Sequence, residues 1–221
     1  MKGDVYHILN RGVEKRKIFL NEKDYFRFVY CLYDFNNKNT TSFSYWNRRK
    51  YSDYSAIGWP NKNKDDNKLV DVLCWCLMPN HYHILVQEKL DGGAGIFSKK
   101  LSGAYTQYFN LKNKRSGVLF QGKSKIIQIK RDDHFMYLPY YIFSNPIKLI
   151  EKDWKEKGVK NLEKVRKFLE NYKWSSYLDV VGKNNFPFII NSKSFIDLFG
   201  LNKRQFQKSF IEWSFGHRMA E

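Results

Sequence analysis

Two histidines one residue apart, His81 and His83, sit in the run Met78-Pro79-Asn80-His81-Tyr82-His83-Ile84-Leu85-Val86. Alternate residues of a strand face the same way, so two imidazoles there stand side by side, a geometry suited to chelating one divalent metal. Two ligands do not make a site, and the same rings suit strand histidines held by hydrogen bonds. Further along, Tyr141 and Asn145 are spaced by one helical turn and share a helix face. If that face packs over the histidine strand, the Asn145 amide oxygen reaches the same ion and Tyr141 reaches a phosphate bound to it. The chain holds 15 tyrosines, so Tyr137, Tyr140 and Tyr141 also fit ordinary packing. Tyr140 points about 100° away from Tyr141 on a helix, which makes it the poorer nucleophile over the metal. Pro139 lacks an N–H and predicts a kink just before the pair.

The elements that must position these residues read as an α+β order. Val5–Leu9 is a short β-like run, followed by a basic loop from Arg11 to Lys17. Asn21 and Asp24 mark a helix start, and Tyr25, Phe28, Val29, Leu32 and Tyr33 recur at helical spacing. Residues 36–68 are polar, punctuated by Gly58 and Pro60, and read as a long insertion. Its Arg48, Arg49, Lys50, Tyr51 and Trp59 fit either DNA contact or a tolerated surface loop, and the loop is the favoured reading.

Pro79-Asn80 separates the strand-like runs Val70–Met78 and His81–Val86, which predicts a hairpin with the histidines just past its turn. Gly92, Gly93 and Gly95 lack the lysine and spacing of a phosphate-binding loop and read as a flexible connection to a helix ending near Leu111. Val118–Ile129 reads as a strand broken at Gly122, and Asp132-Asp133 as the cap of a helix limited by Pro146. Lys148–Tyr172 reads as charged and helical, Trp174–Val181 as irregular, and Ser194–Trp213 as two helices joined at Gly200. An antiparallel sheet with packed helices and a helical C-terminal extension accounts for this order.

Composition narrows the partners. The chain has 221 residues, with 39 Lys+Arg against 22 Asp+Glu, a formal net charge of +17. With 43% hydrophobic and 18% aromatic residues it has ample material for a core, which argues against wholesale disorder. The charge favours a polyanion as partner. It is uneven: from Gly92 to Arg131 there is no Asp or Glu, while Lys99, Lys100, Lys112, Lys114, Arg115, Lys123, Lys125, Lys130 and Arg131 contribute more than half of the net charge. A charge run is commonly a solvated face, but the lack of compensating acids favours nucleic acid, with Phe97, Tyr105, Tyr108 and Phe120 available to stack on bases or to fill a core. No apolar run approaches the ~18 residues of a membrane span, and the N-terminus has no readable export signal, so a cytoplasmic location is expected. Cys31, Cys74 and Cys76 are too few for a disulfide framework and read as reduced core thiols.

The assembled motifs resemble the single-tyrosine HUH transposases (His-hydrophobic-His), in particular the REP-associated branch. Tyr6-His7-Ile8-Leu9-Asn10-Arg11-Gly12 is similar to the family's opening strand and N-R-G loop. Cys76-Leu77-Met78-Pro79-Asn80-His81-Tyr82-His83 resembles its metal-binding hairpin, Leu119-Phe120-Gln121-Gly122-Lys123 its L-F/W-Q-G-R strand, and Tyr141-Ile142-Phe143-Ser144-Asn145-Pro146 its nucleophile helix. Trp174-Ser175-Ser176-Tyr177 and Phe199-Gly200 follow in the family's order. The resemblance implies a ferredoxin-like HUH nuclease fold over residues 1–150 with a helical extension over 151–221. It further implies His81, His83 and Asn145 as ligands of Mg²⁺ or Mn²⁺, Tyr141 as nucleophile, and cleavage and rejoining of single-stranded DNA beside a hairpin. Arg11 and the basic 92–131 segment are the candidates for holding DNA, by a monomer or a homodimer. The other readings are a domesticated, non-catalytic hairpin-binding protein and a histidine-triad hydrolase. Leu85 stands where the latter needs a third histidine.

Overall fold

The computed structural model describes residues 1–40 and 67–216. Its elements run β1 (Val5–Arg11), α1 (Glu22–Asp34), β2 (Val70–Met78), β3 (His81–Glu88), α2 (Gly93–Lys112), β4 (Lys125–Gln128) and α3 (Asp132–Ser144). Then come α4 (Trp154–Lys157), α5 (Leu162–Leu169), α6 (Tyr177–Val180), α7 (Ser192–Phe199) and α8 (Lys203–Gly216). The strands form one sheet in the order β2-β3-β1-β4, each neighbouring pair antiparallel. β1-α1-β2 straddles β3, and β3-α2-β4 straddles β1. These two split βαβ units make the sheet ferredoxin-like.

Strand alternation divides the sheet into two faces. Val5, His7, Leu9 and Arg11 lie opposite Gln87, Leu85, His83 and His81 and share one face; Tyr6, Ile8 and Asn10 share the other with Val86, Ile84 and Tyr82. Helices α1 and α2 cover the Tyr82 face. The Phe28 ring lies 4.9 Å from Tyr82, Tyr105 lies 5.0 Å from Phe28, and the Tyr82 hydroxyl sits 3.0 Å from Ser102 Oγ. Each such buried aromatic is worth roughly 1.5–3 kcal/mol of transfer free energy. α1 starts at a capping box in which Asn21 and Asp24 each bond the other's backbone N–H.

β2 is buried along almost its whole length because the C-terminal segments close its outer edge. Leu77 N donates to Trp174 O at 2.9 Å, Ser176 N to Trp75 O at 3.0 Å, and Asn191 N to Val72 O at 3.1 Å. The Trp75 ring packs 5.7 Å from Phe186. On α8, Phe206 and Phe210 pack on Phe143 and Tyr140 of α3. Cys31, Cys74 and Cys76 are buried free thiols.

Several boundaries differ from the sequence expectation. Val118–Ile129 forms a strand only over Lys125–Gln128; Phe120 makes an isolated bridge to Gly12 instead, and Gly122, at φ 147°, breaks the run. The glycines after β3 are the start of α2 rather than a flexible link. Gly93 is packed so closely that a Cβ would lie 2.3 Å from Leu69 O, and Ala94 N donates to Glu88 Oε1 at 2.9 Å. Asp132 and Asp133 occupy the first turn of α3 while Arg131 holds the cap position. Lys148–Tyr172 holds the short helices α4 and α5, and Trp174–Val181 combines a bridge from Ser175 to Cys76 with α6. The ends of the insertion are tied together: Asn36 donates to Val70 O at 2.8 Å and accepts from Val70 N at 3.0 Å. Arg48, Arg49, Lys50, Tyr51 and Trp59 lie outside the described residues.

Candidate metal and nucleophile site

The face opposite α1 and α2 carries the candidate residues. The His81 and His83 rings lie 5.1 Å apart, centroid to centroid, His83 buried and His81 partly so. α3 crosses this face, and the Tyr141 ring meets His83 edge-on at 5.6 Å. The helix continues through Pro139, so the pair of tyrosines keeps its helical divergence. Tyr140 turns to α8, 5.3 Å from Phe206, while Tyr141 faces the histidines. Asn145, just past the helix end, is buried; its Nδ2 donates to Tyr141 O at 2.7 Å, and its side chain is near enough to His81 to raise that ring's pKa. His81, His83, Tyr141 and Asn145 therefore converge.

Hydrogen bonds constrain which ring nitrogens are free. His81 Nδ1 lies 2.6 Å from Asn80 Oδ1. An amide oxygen only accepts, so Nδ1 carries the proton and Nε2 keeps its lone pair. His83 Nδ1 lies 2.9 Å from His7 Nε2. Burial pushes His81 down to about 4, helped by Arg11 and opposed by the nearby Asn145 side chain. Burial likewise pushes His7 down to about 4 and holds His83 well below the usual histidine range, with His7 and His81 adding to it. All three rings are thus neutral at pH 7, the state in which imidazole binds metal.

The site is also electropositive. Lys155 Nζ stands 4.4 Å above the Tyr141 ring. Desolvation lowers its pKa and Lys148 adds to the effect. Burial raises the Tyr141 hydroxyl's pKa, and the Arg11 guanidinium opposes that. Arg11 lies opposite His81 in the strand register.

The remaining predicted cations are dispersed. Lys99, Lys100 and Lys112 ride on α2, behind the sheet. Lys100 Nζ donates to the carbonyls of Asn37, Lys38 and Thr40, and Lys112 pairs with the buried Asp24. Lys114 follows α2; Arg115 bonds Asn110 and Val118 O; Arg131 pairs with Asp133. Lys123 and Lys130 flank β4 and are exposed. Lys125 pairs with Leu9, itself opposite His83, so it shares the histidine face. Sequence reasoning missed Lys148 and Lys155, which lie beyond the basic run, and His7, whose alternation with Leu9 and Arg11 was readable but whose pairing with His83 was not.

Two imidazoles and one amide oxygen make a neutral N₂O donor set that fits a divalent cation. Among the described residues no group of three or more His, Cys, Asp or Glu side chains is placed to hold a metal; the Asn145 amide is the further donor group near the two imidazoles. Mg²⁺ prefers oxygen ligands, and two imidazoles tilt the set toward Mn²⁺ or a later transition metal. Among the described residues no helix is long and apolar enough to cross a membrane.

Neither a protein-family model nor a curated protein matches the chain. A solved structure of a REP-associated tyrosine transposase bound to a REP hairpin is similar to it over 85% of each chain, at 14% identity and a TM-score of 0.47.

Proposed function

We propose that this protein is a metal-dependent, transposase-type endonuclease that cleaves and rejoins single-stranded DNA beside a hairpin. The link to DNA is a 5′-phosphotyrosine on Tyr141, and His81, His83 and Asn145 hold Mg²⁺ or Mn²⁺. The observation that carries this reading is the Tyr141 ring 5.6 Å from His83, with Asn145 one turn on and its side chain beside His81. In this reading residues 1–150 are the nuclease domain and 151–221 its extension, whose α8 holds Tyr140 away from the site.

The bound ion would polarise the scissile phosphate and offset the charge that builds on it. Because the ligands are all neutral, they leave that positive charge uncompensated. Tyr141 Oη attacks phosphorus as the bond to O3′ breaks; the phenolic proton is the equivalent of the one that the departing 3′-hydroxyl gains. Arg11 and Lys155 favour the developing phenolate and attract the phosphodiester, with Lys125 and Lys148 extending the basic rim. The covalent link conserves the phosphodiester, so the same groups rejoin a strand by the reverse attack.

The test uses single-stranded DNA from the sequences flanking the protein's own gene, labelled on the 3′ side of the break, with Mn²⁺ or Mg²⁺. A label that stays on the denatured protein, needs metal, and falls at least ~10³-fold in Tyr141→Phe but not in Tyr140→Phe is expected. An adduct lost in Tyr140→Phe and kept in Tyr141→Phe moves the nucleophile by one residue. DNA retarded in native gels without any adduct supports the binding-only alternative.

A further inference from the structure

His7 sits on β1 beside the strand of the metal-facing histidines, yet it is turned to His83 rather than to solvent. Its Nε2 lies 2.9 Å from His83 Nδ1, the two rings stack at 24° with centroids 5.1 Å apart, and only 6% and 4% of the two residues remain exposed. Between two neutral imidazoles only one proton can occupy that contact. If it sits on His7 Nε2, His83 carries its own proton on Nε2, the nitrogen left for a ligand, and cannot coordinate through it. If it sits on His83 Nδ1, then Nε2 presents a lone pair. The partner ring shows the same solution by other means, since Asn80 Oδ1 accepts from His81 Nδ1. Both imidazoles thus have Nδ1 occupied and Nε2 left for the site.

We infer that His7 is a positioning residue: it accepts a hydrogen bond from His83 Nδ1–H, which fixes His83's ring orientation and keeps its Nε2 as the metal donor. This requires His7 to carry its proton on Nδ1. It rests on the reading of His83 as a metal ligand, and it gives a buried polar residue of the first strand a task that packing alone would assign to Val or Ile. Without an acceptor, the His83 Nδ1–H would be buried and unpaired, and the ring would rotate or exchange tautomers to satisfy it.

The test is Mn²⁺ titration of the metal-free full chain, read from the free-ion signal by electron paramagnetic resonance, in wild type, His83→Ala, His7→Phe, His7→Gln and His7→Asn, with circular dichroism to verify folding. His7→Phe should weaken Mn²⁺ about 10–100-fold, as loss of a ligand-orienting partner does. Glutamine can place Oε1 where His7 Nε2 stood, whereas the asparagine oxygen reaches only the position of Nδ1. His7→Gln should therefore recover most of the affinity and His7→Asn should not.

Wild-type affinity in His7→Phe, alongside loss in His83→Ala, would overturn the inference while leaving His83 a ligand. Unchanged Mn²⁺ binding in His83→Ala, or none in wild type, would instead sink the metal reading beneath it. Equal weakening by all three His7 variants would assign His7 to shape rather than to the hydrogen bond. Should His7→Phe fail to fold, the contrast between His7→Gln and His7→Asn decides alone.

Discussion

The two faces of the sheet divide the work. Behind it, Phe28, Tyr82, Tyr105 and Phe120 make an aromatic layer under α1 and α2. In front, the same strands present His7, His81, His83 and Arg11, with α3 bringing Tyr141 and Asn145 over them. The difference teaches how a small sheet holds neutral imidazoles out of water. Apolar burial on one face offsets the cost of desolvating ionisable groups on the other, and hydrogen bonds such as His7–His83 and His81–Asn80 reduce that cost locally.

The division breaks most visibly under substitution of the rear layer. Phe28 is fully buried, and Phe28→Ala should cost about 3–5 kcal/mol in urea unfolding. Tyr141 is only partly buried, so Tyr141→Phe should change stability by less than ~1 kcal/mol while abolishing the adduct. Comparable losses of stability in the two variants would mean that the front face is core as well.

pH separates the faces next. In the metal-free protein burial pushes His7 and His81 down to about 4 and holds His83 well below the usual histidine range. The unfolded chain takes up these protons near pH 6.5 and the folded chain does not, so stability falls as pH drops from about 6.5 toward 4 and is unaffected by these groups above that window. His7 alone accounts for roughly 3 kcal/mol at the bottom of the window. Asp179 works the other way between its ordinary value and about 6, where burial has raised it, and so takes back part of the loss. Urea midpoints at pH 7, 5.5 and 4.5 measure the sum. A flat profile in wild type would show that the imidazoles are not desolvated as a group.

Much of the division was legible in the sequence, because alternation and helical spacing are local. The His81/His83 pair, the α1 cap at Asn21 and the opposite aims of Tyr140 and Tyr141 all follow from residues within a few positions of one another. What was not legible depends on strand order and on which face a helix returns to. Placing β1 beside β3 is what joins His7 to His83, and no local pattern encodes it. The basic 92–131 run is contiguous in sequence but split by the fold, with α2 carrying Lys99, Lys100 and Lys112 behind the sheet. Lys148 and Lys155, from outside the run, reach the front. β4 came out shorter than its composition suggests because Gly122 and the Phe120–Gly12 bridge remove the first half of the stretch from the ladder.

The smallest effect tests that split most directly. Lys125 and Lys99 are both exposed lysines of the basic run, so a reading from sequence treats them alike. The register places Lys125 on the histidine face, whereas Lys99 lies on the helix behind it. If single-stranded DNA crosses the front, Lys125→Ala should lower the slope of log K against log salt by about 0.7, one phosphate's share on a single strand, and Lys99→Ala should leave it unchanged. Fluorescence anisotropy with a labelled hairpin strand at several salt concentrations resolves a change of that size. Equal slope losses would mean that the strand wraps the edge of the sheet at β4 and reaches α2, so that both faces bind DNA while only one cuts it. A loss confined to Lys99→Ala would reverse the assignment and separate the binding surface from Tyr141 by the thickness of the sheet.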